Sequence, residues 1–333
     1  MVQVGSRFPK NRLGQRRSWS ARIWLLVTWI CVVTSCALLS WFISSKEDVA
    51  SQFTTLENSV SPVQSSFMSP LSKNPARERI LGLPSPPPER YCPCCNWSGT
   101  SFAKHKQTLD RRCPICGAFE RHRKFCALLA CHEDHGGFQF QRQEPSKPFK
   151  LLHFGAERHM YDLLDQLEPK IEQFGLDFFS PGYKYNTNIV HHADVTNLKD
   201  FADATADGVI ILHVLEHVRD LDAALGEIRR VLKPASGWAY IEVPCYDLDG
   251  GKSKDCRNLT TREELHQCAG QHDHVWRYDC QDFEQSLKGN GLLCQTILQD
   301  LHVQSQCLSP SIHRSLGLHR MPSYLCHTSN TST

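Results

Sequence analysis

The stretch that decides the fold is DGVIILHVLEHVRDLDAALGEIRRVLKPASGWAYIEVP, residues 207–244. Residues 207–214 (DGVIILHV) contain an unbroken apolar run that is rich in β-branched side chains, which is typical of a strand buried on both faces. Apolar residues then recur at helical spacing over 221–232, and Pro234 ends that helix. Residues 238–243 are the next strand. A strand, a helix and a second strand in this order predict a parallel α/β sheet covered by helices.

Further strands and helices flank this stretch on both sides. Residues 149–154 (FKLLHF) predict an earlier strand, and residues 157–171 carry apolar side chains at helical spacing. A later helix is predicted around 283–287, and a last strand region over 292–301. Ligands of such sheets bind beyond the carboxyl ends of the strands. The polar residues near those ends are His153, Gly155, Glu157, Asp177, Asp194, His213, Glu216 and His217.

Several motifs resemble a known enzyme family. Residues 215–218 (LEHV) and 230–234 (RVLKP), with the strand that follows, resemble the class I S-adenosylmethionine-dependent methyltransferases in their type 11 branch. A CPxCG-type knuckle followed by residues 120–123 (ERHR), a first strand reading LLHFGAE and residues 270–278 (GQHDHVWRY) are similar to a zinc-knuckle subgroup. The resemblance covers about residues 91–300. It implies a Rossmann-like methyltransferase fold, S-adenosylmethionine as cofactor and a methyl acceptor that the motifs do not identify.

By that resemblance, particular residues would contact the cofactor. Residues 152–157 would form the first cofactor loop, Asp177 would hold the ribose, and Asp194 would lie near the adenine. The family's first loop is usually richer in glycine, whereas only Gly155 remains here. The predicted cofactor-binding residues are His153, Phe154, Gly155, Glu157, Asp177, Asp194, His213 and Glu216.

Methyl transfer from a sulfonium is an in-line displacement that needs a general base only when the acceptor must lose a proton. Histidine titrates near neutrality, so the candidate catalytic bases are His213, His272 and His274. The alternative for each is a structural histidine held by hydrogen bonds.

Four cysteines N-terminal to this region have the spacing of a metal site. Cys92, Cys95, Cys113 and Cys116 form a C-x2-C-x17-C-x2-C pattern, which predicts a structural zinc ion held by four thiolates. Two disulfides are the alternative, and Cys94 is an additional thiol. Basic residues around the second pair could bind nucleic acid, form a solvated face or hold a neighbouring domain.

The N-terminal part predicts a membrane anchor. The first 22 residues carry six basic residues and no acidic one, which leaves 31 basic and 35 acidic residues in the body and argues against nucleic acid as a partner. Residues 23–43 hold no charge and are long enough to span a bilayer, although a cleaved signal peptide and a buried helix are the alternatives. The basic flank predicts a type II single-pass protein, held in the lipid of the Golgi, endoplasmic reticulum or another endomembrane.

Composition then divides the rest of the chain. We predict a disordered Ser/Pro-rich stem at 44–90, a zinc-ribbon-like module at 91–125, a methyltransferase domain at 149–305 and a C-terminal tail at 306–333. Sequons at Asn96, Asn258 and Asn330 are weak support for a lumenal body. In a lumen, disulfides could form among Cys245, Cys256, Cys268 and Cys280.

Two other functions stay open. A short cytosolic tail, an anchor and a stem also describe Golgi glycosyltransferases, whose metal motif would be residues 247–249 (DLD) or 220–222 (DLD). The second of these also fits the start of a helix. The glycine-poor first loop could instead mark a methyltransferase fold that binds without catalysing. The acceptor and the oligomeric state stay open as well.

Overall fold

The computed structural model of the chain describes residues 74–130, 147–167, 171–178, 190–297, 308–318 and 321–328. The predicted basic tail, the predicted anchor and residues 44–73 of the predicted stem lie outside these ranges. Within them, no helix combines the length and the apolar character that a bilayer span requires.

The described chain begins with a small cysteine-bearing module between two helices. Helix α1 (Pro75–Leu81) comes first, and helix α2 (Glu120–Ala130) follows the module and packs against α1. Two antiparallel hairpins lie between them. Their strands are β1 (Arg90–Cys92), β2 (Trp97–Gly99), β3 (Ala103–His105) and β4 (Thr108–Arg112).

Helix α1 corrects part of the predicted disordered stem. The side chain of Asn74 caps it by accepting a hydrogen bond from the Arg77 amide at 3.2 Å, and it also donates to the Leu129 carbonyl of α2 at 2.8 Å. Ala76 and Ile80, one helical turn apart, are buried. The Ser/Pro-rich composition concealed this pair, although a capped turn with two apolar contacts can dock on a neighbouring helix.

A seven-stranded sheet forms the centre of the body. Its strands are β5 (Phe149–Phe154), β6 (Ile171–Asp177), β7 (Val190–His192), β8 (Gly208–Leu212), β9 (Trp238–Glu242), β13 (Leu292–Ile297) and β14 (Ser323–Thr328). They are arranged in the order β13-β14-β9-β8-β5-β6-β7. Strand β14 is antiparallel to both of its neighbours, and the other pairs are parallel. The predicted Rossmann-like, mostly parallel sheet is therefore confirmed.

Helices cover this sheet close to where the apolar spacing predicts them, although the helix predicted over 157–171 ends at Leu164 and Ile171 is the first residue of β6. They are α3 (Arg158–Leu164), α4 (Leu221–Val231) and α6 (Cys280–Gly289). Asp220 caps the start of helix α4, because its side chain accepts from the Ala223 amide at 3.0 Å, and the helix ends shortly before Pro234. Its buried residues include Leu225 and Ile228, which pack in the same apolar core as β8 and β9. The first aspartate of residues 220–222 is thus a helix cap.

Strand β14 corrects the predicted boundary at residue 305. It belongs to the segment assigned to a tail, yet it lies between β9 and β13, and a disulfide joins Cys294 to Cys326. Helix α7 (Pro310–Leu316) precedes it and buries Leu316. Sequence periodicity did not find β14, although the strand is as long as β5, because its place in the sheet depends on pairing with β9 and β13, which lie far along the chain.

A smaller three-stranded sheet stands beside the main one. It consists of β10 (Cys245–Tyr246), β11 (Lys254–Asp255) and β12 (Trp276–Asp279), in the order β10-β12-β11, and helix α5 (Arg262–Ala269) lies between β11 and β12 in the chain. Two disulfides fix it, Cys245–Cys280 and Cys256–Cys268. These are the pairings that the cysteine positions alone left open.

Candidate active site at the carboxyl edge of the sheet

The strand order changes direction at β5. The chain builds β5, β6 and β7 on one side and then β8 and β9 on the other. The loops after β5 and β8 therefore diverge, and a ligand crevice is expected beyond their carboxyl ends. Most of the predicted site residues stand at or just after these ends: Gly155 and Glu157 after β5, Asp177 at the end of β6, Asp194 after β7, and His213 and Glu216 after β8.

The loop after β5 requires glycine at its first position. Gly155 has a φ of +60°, and its amide donates to the Leu176 carbonyl of β6 at 2.8 Å. A Cβ at this position would lie 3.1 Å from Val214 Cγ2, in the loop after β8. Glycine therefore satisfies both the left-handed backbone and the close approach of the two loops.

Two of the predicted cofactor contacts, His153 and Phe154, are core residues. Both are almost completely buried in β5. His153 Nδ1 lies 3.2 Å from Gln173 Oε1 on the adjacent strand. Burial lowers the pKa of His153 to about 4, so the ring is neutral at pH 7. The structure therefore places these side chains in the sheet rather than on its rim.

Glu157 joins the first loop to helix α2. Its Oε1 accepts from Arg121 Nη2 at 2.8 Å and lies 3.1 Å from His122 Nε2. Burial opposes ionisation, but the neighbouring His122 and Arg121 hold the pKa of Glu157 well below its usual range. Arg121 Nε and His159 Nε2 are buried without a hydrogen-bond partner in the described part of the chain. Sequence reasoning gave Arg121 no role in the site, although the ERHR motif contains it.

His122, Glu157 and His159 lie close enough together for a metal ion, but the hydrogen bonds oppose one. His122 Nδ1 accepts from the Phe119 amide at 3.0 Å. Burial lowers the pKa of His122 to about 3, so the ring is neutral and carries its single proton on Nε2, facing Glu157. A protonated Nε2 has no lone pair for a metal. This cluster therefore supports the loop through hydrogen bonds.

Asp177 and Asp194 stand side by side at the next strand ends. The Ala193 amide donates to the Asp177 carbonyl at 2.9 Å, which joins the two segments. Asp194 Oδ1 accepts from both the amide and the hydroxyl of Thr196, at 2.9 and 2.8 Å. One carboxylate oxygen of Asp194 is thus committed to its own turn, which leaves Oδ2 for a ligand.

The loop after β8 carries a buried carboxylate surrounded by histidines. Glu216 Oε1 lies 3.5 Å from His213 Nδ1, 3.9 Å from His274 Nε2 and 4.0 Å from His217 Nε2. The Glu216 side chain is 1% exposed, and neither of its oxygens has a hydrogen-bond partner among the described residues. Burial raises the pKa of Glu216. Of the three predicted bases, His213 and His274 meet here, whereas His272 is exposed and lies outside this cluster.

A second buried carboxylate, Glu242 at the end of β9, lies on the other side of His213. Its Oε1 is 3.5 Å from His213 Nε2, and its Oε2 is 3.3 Å from Lys124 Nζ and accepts a hydrogen bond from the Ser323 hydroxyl. Burial opposes the charge, but Lys124 and His213 lower the pKa of Glu242 to about 2. Sequence reasoning missed Glu242, although its place at a strand end is the signal that selected Asp177.

Residues 273–278 hold the loop after β8 in place. The hydrogen bonds are His217 Nδ1 to the Asp273 carbonyl at 2.8 Å, the Val275 amide to the Glu216 carbonyl at 2.9 Å, Trp276 Nε1 to the Val218 carbonyl at 2.9 Å and the Tyr278 hydroxyl to the Leu215 carbonyl at 3.0 Å. These bonds bring His274 against Glu216. They give a structural reason for the GQHDHVWRY motif.

The four predicted metal cysteines meet at one point. Their sulfurs all lie within 4.8 Å of one another; the separations are 3.7 Å between Cys92 and Cys116 and 3.6 Å between Cys95 and Cys113. The sulfur of Cys94 lies instead 2.8 Å from that of Cys126, and both residues are buried. The additional thiol therefore does not belong to the four-sulfur set.

The basic residues that follow the second cysteine pair include structural ones. Arg123 is fully buried, and its guanidinium donates to the carbonyls of Leu316 and Ala118 at 2.7 and 2.8 Å and stacks 3.7 Å from the centre of the Phe102 ring. Lys124 is buried against Glu242. The charges allowed three roles: nucleic-acid binding, a solvated face or contact with a neighbouring domain. These two side chains have the third role, because they join the cysteine module to the body.

A mostly parallel sheet whose strand order changes direction at β5 defines the class as a doubly wound α/β fold, in which ligands bind at the switch point. A family profile described as a methyltransferase domain matches residues 130–297, just over half of the chain. The chain belongs to this methyltransferase family. A search of curated proteins finds no match.

Solved structures with a similar fold include three methyltransferases. The CurJ carbon methyltransferase has 14% identity, with 56% of this chain and 50% of that chain covered and a TM-score of 0.38. A putative sarcosine dimethylglycine methyltransferase from Galdieria sulphuraria has 16% identity, 63% and 86% coverage and a TM-score of 0.40. Phosphoethanolamine N-methyltransferase 2 of Haemonchus contortus, in complex with S-adenosyl-L-methionine, has 12% identity, 62% and 57% coverage and a TM-score of 0.35. The chain spans half the length of the CurJ protein, and at these scores the similarities add no argument to the family assignment.

Proposed function

We propose that the protein is a membrane-anchored, S-adenosylmethionine-dependent methyltransferase that transfers a methyl group beside His213. The observation that carries the proposal is the meeting of three features at the switch point of a methyltransferase-family sheet. They are the left-handed Gly155, the strand-end carboxylate of Asp177, and the buried Glu216 with its histidines.

The strand-end residues fit the chemical groups of this cofactor. A carboxylate at the end of the second strand, here Asp177, suits a pair of ribose hydroxyls, and Asp194 is our candidate for the adenine amino group. Where the family usually has glycines, the loop presents Glu157, and helix α2 brings Arg121 against it. The ionised Glu157 suits the ammonium group of the methionine part, and the unpartnered Arg121 Nε suits its carboxylate. Charge pairing would replace the backbone contacts of a glycine-rich loop.

We assign to His213 the role of accepting a proton from the methyl acceptor. When bound, S-adenosylmethionine supplies the electrophilic methyl group. His213 is 24% exposed and lies between two carboxylates, each 3.5 Å away. The negative charge of the ionised Glu242, 3.5 Å from Nε2, favours the tautomer of His213 that carries its proton on that nitrogen, which leaves Nδ1 as the basic atom. His274 belongs to the wall of this site beside Glu216.

We also propose that the four cysteines hold zinc, in keeping with the zinc-knuckle resemblance. Zn–S bonds of about 2.3 Å in a tetrahedron place the sulfurs about 3.8 Å apart, close to the observed 3.6 and 3.7 Å. A site closed by four thiolates has a structural role. It would fix the start of α2, from which Arg121 and His122 reach Glu157. Zinc would therefore support the cofactor loop from outside the sheet.

The membrane anchor at 23–43 and the lumenal orientation are parts of the same proposal. Three disulfides among the described residues of the body support an oxidising compartment, which agrees with the orientation that the basic flank predicts. Cofactor made in the cytosol would then have to be carried into the lumen.

Calorimetric titration of S-adenosylmethionine into the full chain, with zinc measured on the same sample, tests the proposal. We expect saturable binding that Asp177→Ala weakens at least about tenfold, because a carboxylate hydrogen-bonded to two hydroxyls contributes on the order of 1.5–3 kcal/mol. Asp247→Ala is the matched control. It removes an exposed carboxylate of the alternative glycosyltransferase motif and should leave binding unchanged. A folded, zinc-loaded protein that binds no S-adenosylmethionine would leave the non-catalytic scaffold as the better explanation.

A further inference from the structure

The carboxylate of Glu216 is chemically unusual in this chain. It is 99% removed from solvent, yet no hydrogen bond from the described residues reaches either oxygen. A buried carboxylate without partners is costly, and buried charges are ordinarily paired or bound to metals. Three imidazole nitrogens surround Oε1 at 3.5 to 4.0 Å, which is too long for hydrogen bonds.

These separations suit the ligands of one metal ion. With metal–ligand bonds of about 2.0–2.2 Å, neighbouring ligand atoms lie about 3.0–3.4 Å apart, so a small closure of the present arrangement would complete a site. One ligand atom each from Glu216, His217 and His274 already lies within 4.8 Å of the others. His213 Nδ1, 3.5 Å from Glu216, lies next to this set.

The hydrogen bond of His217 prepares its ring for a metal. His217 Nδ1 lies 2.8 Å from the Asp273 carbonyl, which can only accept, so Nδ1 carries the proton and Nε2 keeps its lone pair toward Glu216. Metal-bound histidines commonly donate their second N–H to a backbone carbonyl in this way. In the cluster around Glu157 the arrangement is reversed, because His122 Nδ1 is the acceptor and its Nε2 carries the proton.

We infer that Glu216, His217 and His274 bind a first-row divalent metal ion at the carboxyl end of β8. Two imidazoles and one carboxylate suit manganese, iron or zinc. His217 is 34% exposed, so the site opens to solvent on one side and keeps coordination positions for an exogenous ligand. The loop that carries Glu216 and His217 is fastened to residues 273–278 by four hydrogen bonds, which fixes the ligands in advance.

The site also indicates the class of methyl acceptor, and this step rests on the proposed function. An ion beside His213 would bind an oxygen of the acceptor and lower the pKa of its hydroxyl group. His213 Nδ1 would take the proton, the acceptor oxygen would form the new bond to the methyl carbon, and the bond from that carbon to the cofactor sulfur would break. The acceptor is then a hydroxyl-bearing molecule, and the reaction is an O-methylation.

Binding of Mn²⁺ to the full chain tests the site, after mild chelation that leaves the zinc of the four cysteines in place. The loss of the free-ion electron paramagnetic resonance signal measures this binding. Mn²⁺ is the probe because it prefers nitrogen and oxygen ligands to the four thiolates. We expect one equivalent to bind the parent protein and the matched control His272→Ala, whose exposed ring lies two residues from His274. Glu216→Gln and His217→Ala should each weaken binding at least about tenfold. His217 is partly exposed, so its variant is expected to fold.

Two results would overturn the site: no saturable Mn²⁺ binding to the parent protein, or equal binding by the parent and both ligand variants. Calorimetry with S-adenosylmethionine on the same samples separates this inference from the proposed function. Cofactor binding without Mn²⁺ binding would remove the metal and leave the methyltransferase. Mn²⁺ binding without cofactor binding would leave the metal site and remove the O-methylation step.

Discussion

At the scale of single residues, the carboxylates of the site behave differently because their neighbours differ. Glu242 has Lys124 and a serine hydroxyl as partners, and its pKa is lowered to about 2. Glu216 is equally buried without such partners, and its pKa is raised. The pKa values of the two carboxylates on either side of His213 are thus shifted in opposite directions. In this way one site can hold a fixed negative charge beside a metal ligand or proton acceptor.

We expect Glu242→Gln to destabilise the protein by about 3 kcal/mol at pH 7, because it leaves the buried Lys124 ammonium unpaired. The folded pKa of Glu242 lies below its ordinary value of 4.5, so its contribution is present above pH 4.5 and is lost as the pH falls toward 2. Urea denaturation at pH 7 and pH 4 should show a difference that shrinks on acidification.

The control for this prediction is Glu172→Gln. Glu172 forms a half-exposed ion pair with Lys150 at 3.8 Å, and its loss should cost at most about 1 kcal/mol. An unchanged difference between the parent protein and Glu242→Gln at the two pH values would show that the charge of Glu242 is not what stabilises the fold.

At the scale of elements, the sequence was informative wherever local spacing decides the structure. The buried strand β8, the capped helix α4 and the strand-end positions of Gly155 and Asp177 all follow from short patterns. Contacts between segments that are distant in the chain could not be predicted from such local patterns. His274 meets Glu216 only because β12 and its flanking loop bond to the loop after β8, and Lys124 meets Glu242 only because α2 packs on the sheet.

Strand β14 gives the sharpest test at this scale. Truncation after residue 305 removes a strand from between β9 and β13, which exposes an edge of β9 and removes the Cys294–Cys326 disulfide. We expect the truncated chain to be insoluble or to lose its cooperative thermal transition, whereas a chain ending after residue 328 keeps both. Solubility and a circular dichroism melt measure this. A soluble, cooperatively melting 1–305 protein would show that the sheet closes without β14.

At the scale of the whole molecule, the cysteine module and the sheet act as one body. Buried residues of α2, including Phe125, share an apolar cluster with Trp238 and Tyr240 of β9, and the rings of Phe125 and Tyr240 lie 5.4 Å apart. From the same helix, Arg121 contacts the loop after β5 and Lys124 contacts the end of β9. The module therefore reaches both sides of the switch point.

The compartment that surrounds this body is the last property to test, and the sequons provide the means. Asn258 is exposed beside the small sheet. Asn96 has a φ of +62°, stands directly after Cys95, and its side-chain oxygen accepts from the buried Tyr91 hydroxyl at 2.8 Å.

The experiment uses protein made in animal cells in a background with Asn330→Gln, a position outside the described residues. We expect glycosidase treatment to shift the electrophoretic mobility of the parent and of Asn96→Gln, but not that of Asn258→Gln. A lumenal body presents Asn258 to the glycosylation machinery, whereas a cytosolic body does not. If no variant shifts and protease added outside intact microsomes digests the body, the site lies in the cytosol. An oxidising compartment would then not explain the three disulfides of the described residues.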